Sequence, residues 1–348
     1  KRTGSATDFS SGTVELLLQG ANDNGSVLAR HLGLSPLRNG LAGGEARLQL
    51  KGRSGGPYDL SARVSSGGVN GSFSGTLNGT DMSIYNWGQV EGRFEMTAAN
   101  GALLSETIGV DTPMSRFVLA NGGEGGVIAG GRMTLHADLL ELANLEVLVG
   151  SFRASGDFSI VPKVGEANQI SGELEFGRLS LDPLIWPAQS DLATEQGFGL
   201  WSAHPLDWSG LSDFSGTLVL KPSRLELADL ALSDATLNLT IVDGVVTANP
   251  VTGTLAGGRM TLAAKISGGK DVSGATKEAS LDLLISTESF SIEEASQALF
   301  DKTLGQGRGD INLSLMGKGR SWLGLVSSLE GAGSVTLEDG VLSGFDIA

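Results

Sequence analysis

The residue types that usually carry catalysis are present in this sequence, but their spacing does not assemble them. His31, His136 and His204 lie far apart and share no ligand spacing with acidic neighbours, so they read as ordinary imidazoles rather than a metal centre. Gly52-Arg-Ser54-Gly-Gly56 has the G-x-S-x-G spacing of a nucleophile elbow. That chemistry needs the serine on a strand-to-helix turn with histidine and acid partners to follow. Pro57 and the strand-like Tyr58-Asp-Leu60 follow instead, which makes the segment a glycine link between strands. Glu293-Glu294 reads as solvated charge on a helix, and Arg308-Gly-Asp310 as part of a glycine turn. Asn24-Gly-Ser26, Asn70-Gly-Ser72 and Asn78-Gly-Thr80 are turn chemistry outside a glycosylating compartment. There is no cysteine, no Walker loop and no dinucleotide fingerprint. The expectation is a chain without catalytic residues, metal or cofactor.

Composition narrows the remaining functions. The 348 residues carry 39 acidic and 24 basic side chains, a net charge of −15, which excludes nucleic acid as the partner. The length exceeds what one compact core usually fills. Fifty-two glycines with 40% hydrophobic content are too many for a helical protein and too apolar for disorder, leaving a β-rich chain with many turns. The longest apolar run, Phe117 to Ala120, is far short of a membrane-spanning helix. The first residues, Lys1-Arg2-Thr3-Gly4, carry neither an initiator Met nor a signal sequence, so the chain reads as a piece of a longer polypeptide whose anchor lies elsewhere.

The elements are strands. Leu225, Leu227, Leu230, Leu232, Leu237, Leu239 and Ile241, then Met260, Leu262, Ala264 and Ile266, fall at alternate positions with polar residues between them. Period-2 alternation gives a sheet with one apolar and one polar face. Ala228-Asp229 shifts the alternation once, and Asp243-Gly244 is a hairpin turn. Links this short favour an antiparallel meander. Helices are few: Ser26 to Leu32, Leu181 to Trp186, Ser291 to Phe300 behind a capping-box pattern, and Trp322 to Leu329. Ala129-Gly-Gly-Arg-Met-Thr-Leu135 recurs as Ala256 to Leu262, and Leu140-Glu-Leu-Ala-Asn-Leu145 as Leu225-Glu-Leu-Ala-Asp-Leu230. The two repeats have different offsets and opposite order, so no unit of fixed length exists. The organisation expected is a β-rich segment over 1–187, a turn-rich break over 188–212 and a second sheet segment over 213–348.

The residues of the second half are familiar. Trp201-Ser-Ala-His-Pro-Leu-Asp-Trp208-Ser-Gly-Leu211, Thr254-Leu-Ala-Gly-Gly-Arg-Met260, Gly317-Lys-Gly-Arg-Ser-Trp322, Gly333-Ser-Val-Thr-Leu-Glu-Asp-Gly340 and Gly344-Phe-Asp346 resemble the C-terminal region of the bacterial AsmA family. Up to Pro187 the likeness is one of strand and turn style. The resemblance implies an all-β fold with a few short helices, a long twisted antiparallel sheet curled into an elongated open groove. It further implies a periplasmic protein anchored in the bacterial inner membrane and related to TamB and the chorein-type bridge proteins. Its partners would be phospholipid acyl chains and unidentified envelope proteins, in the service of lipid transport and outer-membrane biogenesis. Leu225, Leu227, Leu230, Leu232, Leu237, Leu239, Ile241, Met260, Leu262 and Ile266 would then line the groove.

Two other classes fit the composition. A secreted β-solenoid adhesin or passenger domain would also be acidic, glycine-rich and free of cysteine, but should show a steady repeat. A carbohydrate-binding or carbohydrate-active β-sandwich would cover its apolar face with a second sheet.

Overall fold

The computed structural model describes residues 12–23, 43–53, 56–79, 88–101, 120–122, 125–136, 138–185, 201, 203, 206, 209–227, 230–268, 278–300, 302–303 and 305–342. The expected helix over 26–32, His31, His204, Ala228-Asp229 and the closing Gly344-Phe-Asp346 lie outside these residues. The contacts divide the chain into two units, 1–161 and 162–348.

The first unit is an antiparallel meander of eight strands hydrogen-bonded in chain order: β1 (Thr13–Asn22), β2 (Gly44–Arg53), β3 (Tyr58–Ser66), β4 (Val69–Asn78), β5 (Gln89–Ala98), β6 (Val127–His136), β7 (Leu139–Val149) and β8 (Phe152–Val161). Of the G-x-S-x-G segment, Gly52 and Arg53 end β2, Ser54 and Gly55 lie outside the described residues, and the Gly56 N–H donates to the Arg53 carbonyl at 3.0 Å ahead of β3. A strand follows it, not the helix that a nucleophile elbow needs. Register sorts the side chains cleanly. Leu16, Leu50, Leu60, Gly75, Gly92, Met133, Leu142 and Phe158 lie opposite one another in one row across all eight strands. Three residues along, Gln19, Arg47, Arg63, Ser72 and Glu95 form a row on the other face.

Gly75 and Gly92 are opposed, and each is glycine for a steric reason. A Cβ on Gly75 would lie 2.5 Å from the Gly92 Cα, and one on Gly92 would lie 2.7 Å from the Gly75 Cα and 2.6 Å from the Phe73 ring. The two backbones are pinched together on the apolar side, forming a crease between β4 and β5.

The second unit adds β9 (Asn168–Ser180), β10 (Phe214–Leu227), β11 (Leu230–Val242), β12 (Val245–Leu255), β13 (Gly258–Ser267), β14 (Ala279–Ser291), β15 (Gly305–Gly319) and β16 (Glu330–Leu342). Three short helices interrupt them: α1 (Asp182–Ile185), α2 (Ile292–Phe300) and α3 (Trp322–Ser327). The expected hairpin turn is present, with Asp243 at φ 51° and Gly244 at φ 74°. β10 to β16 form an antiparallel meander, as the short links require.

One pair departs from the antiparallel expectation: β9 and β10 run parallel. Parallel neighbours need a connection of a dozen or more residues, and the chain between Ser180 and Phe214 supplies it. Ion pairs hold this pair in register. Arg178 on β9 and Arg224 on β10 each place Nε 2.5 Å from a different oxygen of Glu226, and Lys221 pairs with Glu173. Burial by itself would raise the Glu226 carboxyl. The hydrogen bonds and charges of Arg224 and Arg178 outweigh it and hold the group below its ordinary value. A lowered carboxyl stabilises the fold above its unfolded pKa, and that contribution is lost as pH falls through the folded value. Glu226→Gln should therefore cost about 1 kcal/mol at neutral pH, the modest figure reflecting two exposed arginines. It should also flatten the acid limb of a melting-temperature series taken from pH 7 down to about 3. An acid limb identical to that of the parent would show that the network contributes nothing.

Arg308 and Asp310 do not lie in a glycine turn. They sit in β15 and clamp the irregular Ser289 (φ 56°) on β14: Arg308 Nη1 donates to the Ser289 carbonyl at 2.8 Å, and Asp310 accepts from the Ser289 N–H at 2.7 Å. The tripeptide is a register device at the β14 bulge.

Candidate functional site

The apolar face of the second unit is built row by row. Leu174, Leu220, Leu237, Val251, Leu262, Ile285 and Leu313 stand opposite one another from β9 to β15. Leu218, Leu239, Ala248, Ala264, Leu283 and Leu315 form the next row, and Ile241, Val246, Ile266 and Leu281 the one beyond. Rows of this kind lie ~7 Å apart, two residues of strand.

Most of these side chains are half-buried. The substantial strand contacts within the unit are between neighbours in chain order, and what else touches the strands is α2, α3 and a 3-10 turn over Ser209–Asp213. Among the described residues no second sheet covers the apolar rows, as a β-sandwich would require, and antiparallel hairpins replace the coils of a β-solenoid.

The helices stand at the ends of the strands. A Cβ on Gly317 would lie 2.7 Å from the Leu325 carbonyl oxygen, and one on Gly319 2.4 Å from the Leu325 nitrogen. Those glycines continue the β15 alternation of Leu313 and Leu315, so α3 lies on the apolar face and closes one end of it. Leu325 is wholly buried there (0% exposed), and the Ser321 hydroxyl caps the helix by accepting from the Gly324 N–H at 3.0 Å. At the same end the Leu206 N–H donates to the Arg320 carbonyl at 2.8 Å, and the 3-10 turn rests on β10 and β12. At the opposite end α2 follows β14, with Ser291 Oγ accepting from the Glu294 N–H at 3.2 Å. It touches β14 and β15 and also β11, four strands from β15, and its own first residue, Ile292, is buried. A nine-residue helix is ~13 Å long. Its reach to both strands means that this part of the sheet bends around it.

Leu237, Leu239, Ile241, Leu262 and Ile266 therefore fall on one shared surface between two helical lips. Leu225 and Leu232 pair with each other further along β10 and β11, past the irregular Asp234 (φ 51°), and are buried at 8% and 7% exposure. Leu227 pairs with Leu230, and Met260 stands opposite Gly253. Leu281, Leu283, Ile285, Leu313 and Leu315 extend the surface without having been singled out from the sequence. Their alternation in Leu281-Asp-Leu283 and Leu313-Ser-Leu315 carries the same signal. The apolar row of the first unit, Leu50 and Leu60 through Met133 to Phe158, was equally open to that test.

Chemically the surface can shelter apolar chains and little else. Among the described residues no group of three His, Asp or Glu could hold a metal, and no helix is long and apolar enough to cross a membrane.

No curated protein and no solved structure matches the chain. A family model does, over residues 186–348, which take in β10 to β16 together with the two helices that close the apolar surface. That model is the AsmA family's, and it is the C-terminal region of this chain that matches it.

Proposed function

We propose that this chain is the non-catalytic, periplasmic portion of an envelope protein, and that the second unit holds phospholipid acyl chains on its apolar face between α2 and α3. The observation that carries this reading is the set of half-buried leucine and isoleucine rows over which, among the described residues, no protein layer lies. Apolar area of that extent left in water is costly at ~25 cal/mol per Å², and soluble proteins rarely expose it unless something binds there. Acyl chains suit it because the rows carry no polar group that a ligand would have to satisfy. The AsmA-family match supports a role in outer-membrane biogenesis, and with it attachment of the full-length protein to the inner membrane. In that setting the groove would serve lipid transport.

The test is native mass spectrometry of the chain purified without detergent, followed by lipid extraction. Retained phospholipid is the expected result. A monodisperse, lipid-free protein that takes up none from vesicles would defeat the reading.

A further inference from the structure

We propose that the polar face of the first unit carries an oxyanion site, built on Arg47 and Arg63 and suited to a phosphate group. It is independent of the acyl-chain reading, because it lies in the first unit, on the polar face of its sheet, and that reading uses the apolar rows of the second unit.

Arg47 on β2 and Arg63 on β3 are direct register partners, both exposed. Like charges placed directly opposite on neighbouring strands destabilise a sheet. The chain has 39 acidic residues to neutralise 24 basic ones, yet among the described residues neither guanidinium has an ion pair or a hydrogen bond. Arg178, Arg224 and Lys221 are paired with carboxylates, and Arg93 and Arg132, opposed on β5 and β6 in the same way, are not among the residues of the hollow that Arg47 and Arg63 line.

The surroundings are those of a receptor rather than of a bare repulsive pair. Both arginines line a shallow hollow with Gln19, Asn70, Ser72 and Thr97. Ser72 is the register partner of Arg63 on the side away from Arg47, and Gln19 is that of Arg47. Asn70 Oδ1 accepts from the Ser65 hydroxyl at 2.9 Å, which commits its oxygen and leaves its amide N–H groups for a ligand. Glu45 and Glu95 also line the hollow. Their presence without an ion pair to either arginine shows that carboxylates within the hollow do not satisfy the two guanidiniums. A tetrahedral anion seated between two planar guanidinium forks receives paired N–H donors from each, geometry that a single carboxylate on the strand cannot match. Binding would remove the like-charge repulsion as it forms those bonds.

The phosphate could be free in solution or the phosphodiester of a lipid headgroup, and two measurements separate the sources. Inorganic phosphate is titrated calorimetrically into the full chain at low salt. Flotation then compares vesicles of phosphatidylglycerol with vesicles of phosphatidylcholine. The double variant Arg47→Gln/Arg63→Gln is tested beside Lys51→Gln, an exposed cation on the same strand and face. Saturable binding that the double variant weakens at least tenfold and Lys51→Gln leaves unchanged is the expected result. The double variant should keep the parent's circular dichroism and melt at the same temperature or slightly higher, since it removes a repulsion. Loss in the phosphate titration alone identifies a soluble phosphate, and loss of retention on phosphatidylglycerol vesicles identifies a headgroup. The proposal is overturned if neither probe binds, if the double variant binds as the parent does, or if Lys51→Gln weakens binding equally.

Discussion

Leu239→Arg should leave the protein folded and soluble while stripping it of lipid. Leu239 is half-buried in the row shared with Leu218 and Ala248, and among the described residues no protein layer lies above it. In a dry sandwich core an unpaired arginine would cost several kcal/mol and unfold the unit. On an open surface the long side chain can lift its guanidinium into water, so the loss of stability should stay below about 2 kcal/mol. Acyl chains have no polar group to offer the intruder. Displacing roughly four methylenes at ~0.8 kcal/mol each removes about 3 kcal/mol of binding, on the order of a hundredfold in affinity. Circular dichroism should match the parent, melting should stay cooperative and fall by only a few degrees, phosphorus content after purification should fall sharply, and the variant should fail to support envelope function in cells. Global unfolding would show that the face is packed against protein; unchanged lipid and full complementation would show that lipid does not sit there.

The second large effect lies in the first unit. Gly92→Val places its Cβ 2.4 Å from the Ser74 carbonyl oxygen and 2.7 Å from the Gly75 Cα, and backbone atoms cannot step aside as side chains do. The crease between β4 and β5 must open, at about 3 kcal/mol, the upper end of ordinary overpacking. In a unit of this size that corresponds to a melting shift of roughly 10 °C. Gly71→Val is the matched control: it stands on β4 in the same alternation as Gly75, and a Cβ there meets nothing within 4 Å. Valine suits a strand better than glycine, so this variant should be neutral or slightly more stable. Equal losses at both positions would mean that the crease is an ordinary stretch of sheet and not a sterically enforced bend.

How much of this was legible beforehand can be argued from the two repeated peptides. Both copies of Ala-Gly-Gly-Arg-Met-Thr-Leu contain an alternating Met-Thr-Leu that must be strand, and both times it is. The Ala-Gly-Gly part is another matter. At Ala256-Gly257 it forms the turn between β12 and β13, with φ 45° and 70°. At Ala129 to Gly131 the same residues lie inside β6, paired with Met96, Glu95 and Phe94. Local preference for a turn is worth little against a row of ladder bonds, so the neighbouring strands decide. Leu-Glu-Leu-Ala-Asn-Leu behaves likewise. In β7 it continues straight through a bulge at Asn144 (φ 50°), whose N–H donates to Asp157 at 2.8 Å, whereas its second copy ends β10 and begins β11.

Alternation along the chain by itself determined that this protein is a sheet with one apolar and one charged face, that its hairpin at Asp243-Gly244 turns tightly, and that three short helices punctuate its second half. Those are consequences of residue spacing, which a strand or a helix turns directly into a face. Tertiary structure alone decided three other things. One is the parallel entry of β10 beside β9, locked by Glu226 between two arginines. Another is the placing of α2 and α3 over opposite ends of one apolar surface. The third is the register that brings Arg47 against Arg63. Each depends on which distant residues become neighbours, and a period-2 pattern is identical for every register that differs by two residues.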